Sequence, residues 1–356
     1  MTADHERLRA VSEGPADLAA LLPYLVETYP SNRIVLIAVT GHDGRLGEVI
    51  AAPIAEDPGT WPTVVDCGLA DLVRVAGPEL TGVLACLCRE PGEGETSATV
   101  TCFLAPLHTL IEDACTRHHL PLFESLCLTA GCWWSYTGSY SAAEEGTPLR
   151  GEDPPPAVAT AVYAGIAPAP RPENIAATFT PVTGERAAEQ RRALDEAQRD
   201  LATQLAAEGR EAVREEIGQL VEHTLEEFQC GAEDVDAEVA ARLLIGLLNV
   251  EARDRGFEHC EPGEIAAAQR LWRCLARRCV PPYTSCAAPV LTLLGWTALC
   301  AGDRPTARVA LDHALDADAD YTMAQLLSCA LRNRLPLEPL REVARTERAR
   351  RRAEHT

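Results

Sequence analysis

The spacing of hydrophobic positions changes character along the chain, and those changes divide it. Leu18 to Val26 reads as a short amphipathic helix that begins around Pro15 and Asp17 and stops near Pro30, since proline cannot continue a helix. Arg33 to Val39 (RIVLIAV) is an unbroken aliphatic run rich in β-branched residues, the pattern of a strand covered on both faces. Gly41-His42-Asp43-Gly44 then supplies turn chemistry before a second strand at Glu48 to Ile54, so the two segments read as a hairpin. Helix spacing returns over Thr63 to Ala76, a strand over Gly82 to Cys88, a helix over Ala105 to His118 and an alternating strand over Pro121 to Thr129. Interleaved strands and helices predict an α/β fold for the first half.

Cys132-Trp133-Trp134-Ser135-Tyr136 leads into a Gly- and Ser-containing segment, and prolines at 154–156 and 168–172 bracket one more apolar stretch, Val158 to Ile166, which fits a helix or a strand. From Glu185 to Phe228 the chain is charged, alanine-rich and helical throughout. Beyond Asp236, helices are separated by Gly256, Pro262-Gly263, Pro281-Pro282 and Gly302-Asp303, with no strand-like alternation between them. The last hairpin is the clearest supersecondary signal. Pro289 to Ala301 is followed by Gly302-Asp303 and then by Ala307, Ala310, Leu311, Ala314 and Leu315, small residues that let two helices approach closely. It resembles one tetratricopeptide unit plus the opening helix of a second, which suits the cap of a helical domain better than a binding solenoid. The predicted organisation is an α/β domain over 15–182, a charged helical connector over 183–232, and an all-α, tetratricopeptide-like domain over 233–345.

Composition narrows the function classes. A chain of 356 residues is long enough for two cores, and with only 5% aromatic residues the burial falls on Ala, Leu and Val. A net charge of -21 repels phosphate backbones and anionic lipid, so nucleic-acid binding by the body of the protein is not expected. The exception is the C-terminal run Arg345, Arg348, Arg350, Arg351 and Arg352, which reads as a solvated helix end with a basic tail as the alternative. The N-terminus has no apolar signal core and no other stretch approaches a membrane span, so the 14 cysteines are expected to be free thiols in the cytosol, mostly filling the core.

Several blocks in order resemble an actinobacterial family of unknown function, the DUF4192 family. They are Leu21-Leu22-Pro23-Tyr24-Leu25 before the strand Ile34 to Val39, then Trp133-Trp134-Ser135-Tyr136 with Gly146-Thr147-Pro148-Leu149, and Arg253-Asp254 on a later helix. Leu271-Trp272 and the Gly302-Asp303 hairpin ending at Tyr321 and Ala324 complete the set, so the resemblance spans nearly the whole chain. In that family a small cysteine cluster usually follows the Trp-Trp-Ser-Tyr block, whereas Thr137 to Glu145 here contains none. Any metal or redox chemistry the resemblance implies for that block does not carry over.

Candidate chemistry is sparse. Cys115, His118, His119, Cys127 and Cys132 offer zinc-type ligands, but the apolar helix face and strand around them favour packing. Cys274, Cys279 and Cys286 lack paired two-residue spacing. No nucleophile elbow is present, and the glycines at 41–47 lack the end of a phosphate loop. No catalytic set, metal or cofactor is therefore expected. The candidate functional surface is Trp133, Trp134, Ser135, Tyr136, Arg253 and Asp254. Strand alternation sends Trp133 and Ser135 to one face and Trp134 and Tyr136 to the other. Arg253 and Asp254 leave their helix on different azimuths, which predicts separate partners, a structural ion pair or a carboxylate site. The expected function is a non-catalytic interaction or regulatory module with a protein partner. The alternative is a small-ligand site or enzyme on the α/β half, using Trp134, Tyr136, His42 and Asp43.

Overall fold

The computed structural model describes residues 14–138, 146–149, 156–163 and 165–354, which form two compact units, the first ending at Pro170 and the second beginning at Arg171. In the first unit, α1 (Pro15–Leu25) precedes the hairpin β1 (Arg33–Thr40) and β2 (Arg45–Pro53). Then come α2 (Trp61–Ala76), β3 (Leu80–Cys88), α3 (Ser97–Arg117), β4 (Leu122–Thr129), β5 (Cys132–Ser135), β6 (Thr147–Pro148) and α4 (Pro156–Tyr163). The strands form one mixed sheet in the order β2-β1-β3-β4-β5-β6. β3 and β4 are parallel, joined by the α3 crossover, and the other neighbours are antiparallel.

The aliphatic run in β1 is buried on both faces, as its sequence predicts. Ile34, Leu36 and Ala38 join Val83, Ala85 and Leu87 against Trp61, Leu69 and Leu72 of α2 and Leu104 and Ile111 of α3. The alternate residues Val35 and Ile37 join Cys86, Leu126 and Leu128 against Leu18, Leu21 and Leu22 of α1 and Ala157 and Ala161 of α4. Each such side chain contributes about 1.5–3 kcal/mol on leaving water, so a strand with no wet face requires helices on both sides. The stretch left open between helix and strand is therefore the helix α4.

Helix α3 begins eight residues before its apolar pattern suggests. Thr96 and Thr99 form a reciprocal capping box, with the Thr96 hydroxyl accepting from Thr99 N at 3.3 Å and Thr96 N donating to the Thr99 hydroxyl at 2.8 Å. Pro106 lies inside the resulting helix, and a sequence reading that starts at Ala105 mistakes this proline for an early position.

The second unit is helical: α5 (Pro172–Ala177), α6 (Gly184–Glu208), α7 (Arg210–Gln229), α8 (Ala237–Gly246), α9 (Val250–Phe257), α10 (Pro262–Arg277), α11 (Ala287–Ala301), α12 (Arg304–Ala317), α13 (Thr322–Arg332) and α14 (Glu338–Glu354). The charged segment at 183–232 is built into this unit. Leu194, Val221, Leu225 and Phe228 pack with Trp272 and Leu275 in one core, to which Ile175 and Phe179 also belong. Buried Arg278 fastens the same segment, donating to Gln190 on α6 at 3.0 Å, to Asp234 at 2.8 Å and to the Val235 carbonyl at 2.6 Å. Against the expectation that no stretch approaches a membrane span, Thr284–Ala301 is long and apolar enough to cross one by length and composition; 72% of it is buried, and it includes the core helix α11.

The α11–α12 hairpin rests on two glycines. Gly302 adopts the left-handed conformation that ends α11 at φ 77°, and the Asp303 side chain then caps α12 by accepting from Thr306 N at 3.1 Å. Gly295 lies so close to α12 that a Cβ there would meet Leu311 Cγ at 2.7 Å, whereas a Cβ at Gly263 would meet nothing within 4 Å. Gly295→Ala is expected to destabilise the protein by about 1–3 kcal/mol through overpacking. Gly263→Ala is expected to be neutral or slightly stabilising. Urea titration of both variants checks this, and equal midpoints would rule out the close approach.

Candidate functional site

Strand β5 divides its side chains between the two faces of the sheet. Trp133, 7% exposed, packs with Leu128 and α1, while Trp134, 8% exposed, packs with Cys127 on the α2–α3 side together with Tyr136. Both tryptophans are therefore core anchors. Gly146 lies against the Trp134 ring so closely that a Cβ would sit 2.3 Å from it, which ties the Gly-Thr-Pro-Leu block to the Trp-Trp-Ser-Tyr block in space. The cysteine-free interval is described only as far as Gly138; residues 139–145 lie outside the described residues.

Ser135 and Tyr136 lead to two polar arrangements that sequence spacing alone does not reveal. Glu124, 6% exposed on β4, accepts through one carboxylate oxygen from Ser125 N at 2.8 Å, Ser135 Oγ at 2.8 Å and Thr137 Oγ1 at 2.7 Å. Buried carboxylate charge is tolerated where several donors converge on it, and here the strand pairing brings them together. On the other face, the Tyr136 hydroxyl donates to the Thr101 carbonyl at 2.7 Å, and its ring stacks on His108 with centroids 5.1 Å apart and planes 9° apart. Burial holds the His108 imidazole below its ordinary pKa, against the opposing pull of Glu112 and Glu124, and pushes the Tyr136 phenol well up.

Outside these clusters, α3 and the turn before α2 enclose a surface groove of about 620 Å³ lined by Pro58, Trp61, Cys102, Phe103, Pro106, Thr109 and Leu110. Trp61 is positioned from beneath, its indole N–H donating to the Ala55 carbonyl at 2.8 Å, and it meets Phe103 edge-on at 5.3 Å. Phe103 is 37% exposed and carries the Arg89 guanidinium on its ring at 4.8 Å, while Arg89 pairs with Glu95 at 2.9 Å. The groove escapes the sequence reading because Phe103 falls before Pro106, in the first part of α3 that the pattern misses.

The remaining candidates lie apart from that groove. His42 and Asp43 are exposed in the β1–β2 turn, where Asp43 pairs with Arg45 at 2.9 Å. Cys115 and Cys127 are buried in the core, and among the described residues no group of three or more His, Cys, Asp or Glu side chains is arranged to hold a metal. Arg253 and Asp254 correct the expectation of separate partners. The guanidinium curls back to donate from Nε at 3.0 Å and Nη2 at 2.5 Å to the same Asp254 oxygen, bridging an azimuthal gap that a shorter side chain could not. Nη1 donates to the Tyr321 hydroxyl at 3.0 Å, so the pair fastens α9 to the start of α13.

The basic C-terminus pairs three of its arginines with carboxylates beyond its own helix, while Arg350 stays exposed and pairs with Glu347 on that helix at 2.7 Å, and the Arg352 side chain lies outside the described residues. Arg348 forms a two-pronged pair with Glu264 at 2.9 and 2.7 Å, Arg345 reaches Glu261 at 2.7 Å and Glu338 at 2.6 Å, and Arg351 pairs with Glu258. Arg348 and Arg351 are thereby largely withdrawn from solvent, whereas Arg345 keeps a partly exposed edge.

The family model described as a domain of unknown function, DUF4192, matches residues 15–338. Comparison with curated proteins and with solved structures gives no match.

The depressed imidazole of His108 has a consequence for stability. The unfolded chain takes up this proton below about pH 6.5 and the folded chain resists it, so stability is lost as pH falls through that window. His108→Gln is expected to flatten the decline in thermal midpoint between about pH 6.5 and 5 relative to the parent. An unchanged slope would mean that the ring titrates as though in water.

Proposed function

We propose that this chain, which belongs to the DUF4192 family, is a non-catalytic interaction or regulatory protein that takes an apolar segment of a partner protein in the groove on α2 and α3. The carrying observation is the chemistry of that groove. Its wall is aromatic and proline-rich, and the Thr109 hydroxyl and the Cys102 thiol are the polar-capable side chains in it. A small-ligand site normally sets several convergent polar groups into an apolar cavity, whereas an aromatic groove without them suits the side chains of a peptide.

Charge narrows the partner. Glu56 and Asp57 immediately precede Pro58, and Glu112 and Asp113 follow Leu110 on α3, all four exposed. With a net charge of -21 behind them, the favoured segment carries aromatic or aliphatic anchors flanked by Lys or Arg. The helical unit fits the same class, since its α11–α12 hairpin resembles a single tetratricopeptide unit, a module used for protein contacts. The cytosol is the proposed compartment, in keeping with cysteines that are free thiols.

A second reading, a small-ligand site or enzyme on the α/β unit, draws support from the buried Glu124 with Ser135 and Thr137. Those groups satisfy one another, which favours a structural role and leaves this reading behind the first.

Selection of phage-displayed random peptides on the whole protein tests the proposal. The expected result is enrichment of sequences pairing aromatic or aliphatic anchors with basic residues. Phe103→Glu should weaken their binding at least about tenfold, roughly 1.4 kcal/mol, with an unchanged circular dichroism spectrum. Selected peptides that bind the variant as tightly as the parent, or a selection that yields none, would remove the groove from consideration.

A further inference from the structure

The groove on α2 and α3 has little to offer a peptide backbone. The Trp61 indole N–H is spent on the Ala55 carbonyl at 2.8 Å, and the Thr109 hydroxyl donates to the Ala105 carbonyl at 3.4 Å. Pro58 and Pro106 carry no N–H, and the Cys102 thiol is only a weak donor. Among the described residues that line the groove none belongs to the edge strands β2 and β6, so a partner strand cannot extend the sheet from it. An extended or polyproline segment laid there would take backbone carbonyls out of water with no donor to meet them.

We propose that the occupant is an amphipathic α-helix of the partner protein, with apolar anchors at i, i+4 and i+7 and a Lys or Arg at its flank. This rests on the reading of the groove as a protein-binding site. A helix pairs its own backbone groups and presents side chains alone. The relief of the wall matches one. Cys102, Pro106 and Leu110 form a row at every fourth residue of α3, and Phe103, Pro106 and Thr109 form a row at every third. These are the two kinds of ridge between which the side chains of a second helix interdigitate. From Cys102 to Leu110 the rows run about 12 Å, at roughly 1.5 Å per residue, which matches about two turns of a partner helix.

Charge and one freed acceptor set the polar edge of that helix. Pro106 cannot donate to the Cys102 carbonyl four residues before it, so this acceptor, directed along α3 between two lining side chains, is left for the partner. A Lys or Arg reaching it is favoured by the exposed Glu56 and Asp57 before Pro58 and by Glu112 and Asp113 after Leu110. The positive charge beside the groove, Arg89 on the Phe103 ring, is offset by its pair with Glu95. Phe103 is thereby held in place as a contact for an apolar anchor.

A pair of phage libraries selected on the whole protein tests this. Both randomise the same positions of a peptide about 18 residues long with fixed lysines; in one the remainder is an alanine-rich helix, and in the other central prolines prevent a helix. The expected result is enrichment from the helical library of clones with apolar residues at helix spacing, bound at least about tenfold more weakly by Phe103→Glu. Thr109→Arg, at an exposed position, should give a similar loss by setting like charge against the lysines, and it keeps the test decisive where Phe103→Glu fails to fold. Proline-interrupted clones that bind as tightly as helical ones, and that both variants weaken, would overturn the helical occupant while leaving the groove a peptide site. Clones insensitive to both variants, or none from either library, would remove the groove and this inference with it.

Discussion

The first unit depends on β1 having no wet face. Its backbone groups pair with β2 on one side and β3 on the other, and its side chains alternate between two separate cores. Neither core can be omitted, because exposing one face would return several aliphatic side chains to water at about 1.5–3 kcal/mol each. This requirement places α2 and α3 on one side and α1 and α4 on the other. It also fixes what the surface can offer, since the inner stripes of α2 and α3 are committed to the sheet and only outward residues such as Phe103 and Pro106 remain to form a groove.

The second unit meets a different constraint, set by composition. With few aromatic residues, its helices fill space by approaching closely, as at Gly295 against Leu311, Gly246 against Ile217 and Gly256 against Leu293. The large side chains, Trp272, Trp296 and Phe228, are kept for the centre. Close backbone approach leaves little room for polar side chains, so the arginines are driven to the perimeter of this core, where they join helices end to side. Arg278 ties α6 to α10, and Arg253 ties α9 to α13.

What could be read from the chain follows from how local each cause is. The hairpin of β1 and β2, the alternation that sends Trp133 and Trp134 to opposite faces of the sheet and the Gly302-Asp303 turn depend on periodicity or on neighbouring residues and are visible in the sequence, whereas the burial of both tryptophans, which the sequence offers as a functional surface, is not. The family was visible too, through the order of its blocks. The Glu124 cluster was not, because its donors at 125, 135 and 137 converge only once β5 pairs with β4 in a particular register. The early start of α3 was hidden by a proline inside the helix. Adjacency misled the reading of Arg253 and Asp254, since a long flexible side chain need not follow the direction of its Cα–Cβ bond.

The docked arginines bear on the charge of the surface as well as on the fold. Placing Arg348 and Arg351 on Glu264 and Glu258 leaves the net charge unchanged but withdraws both signs from solvent together. The excess acidic residues then lie elsewhere, on exposed positions such as Glu56, Asp57, Glu112 and Asp113 beside the groove. An exposed field of one sign acts over roughly a Debye length, about 8 Å at physiological ionic strength, and so governs encounter more than the final contact. The buried pairs are screened far less by salt, so α14 should stay in place under ionic conditions that already screen the acidic residues beside the groove. The same chain can therefore hold its internal ion pairs firmly while its exposed acidic field varies with salt, because the two sets of charges differ in burial rather than in kind.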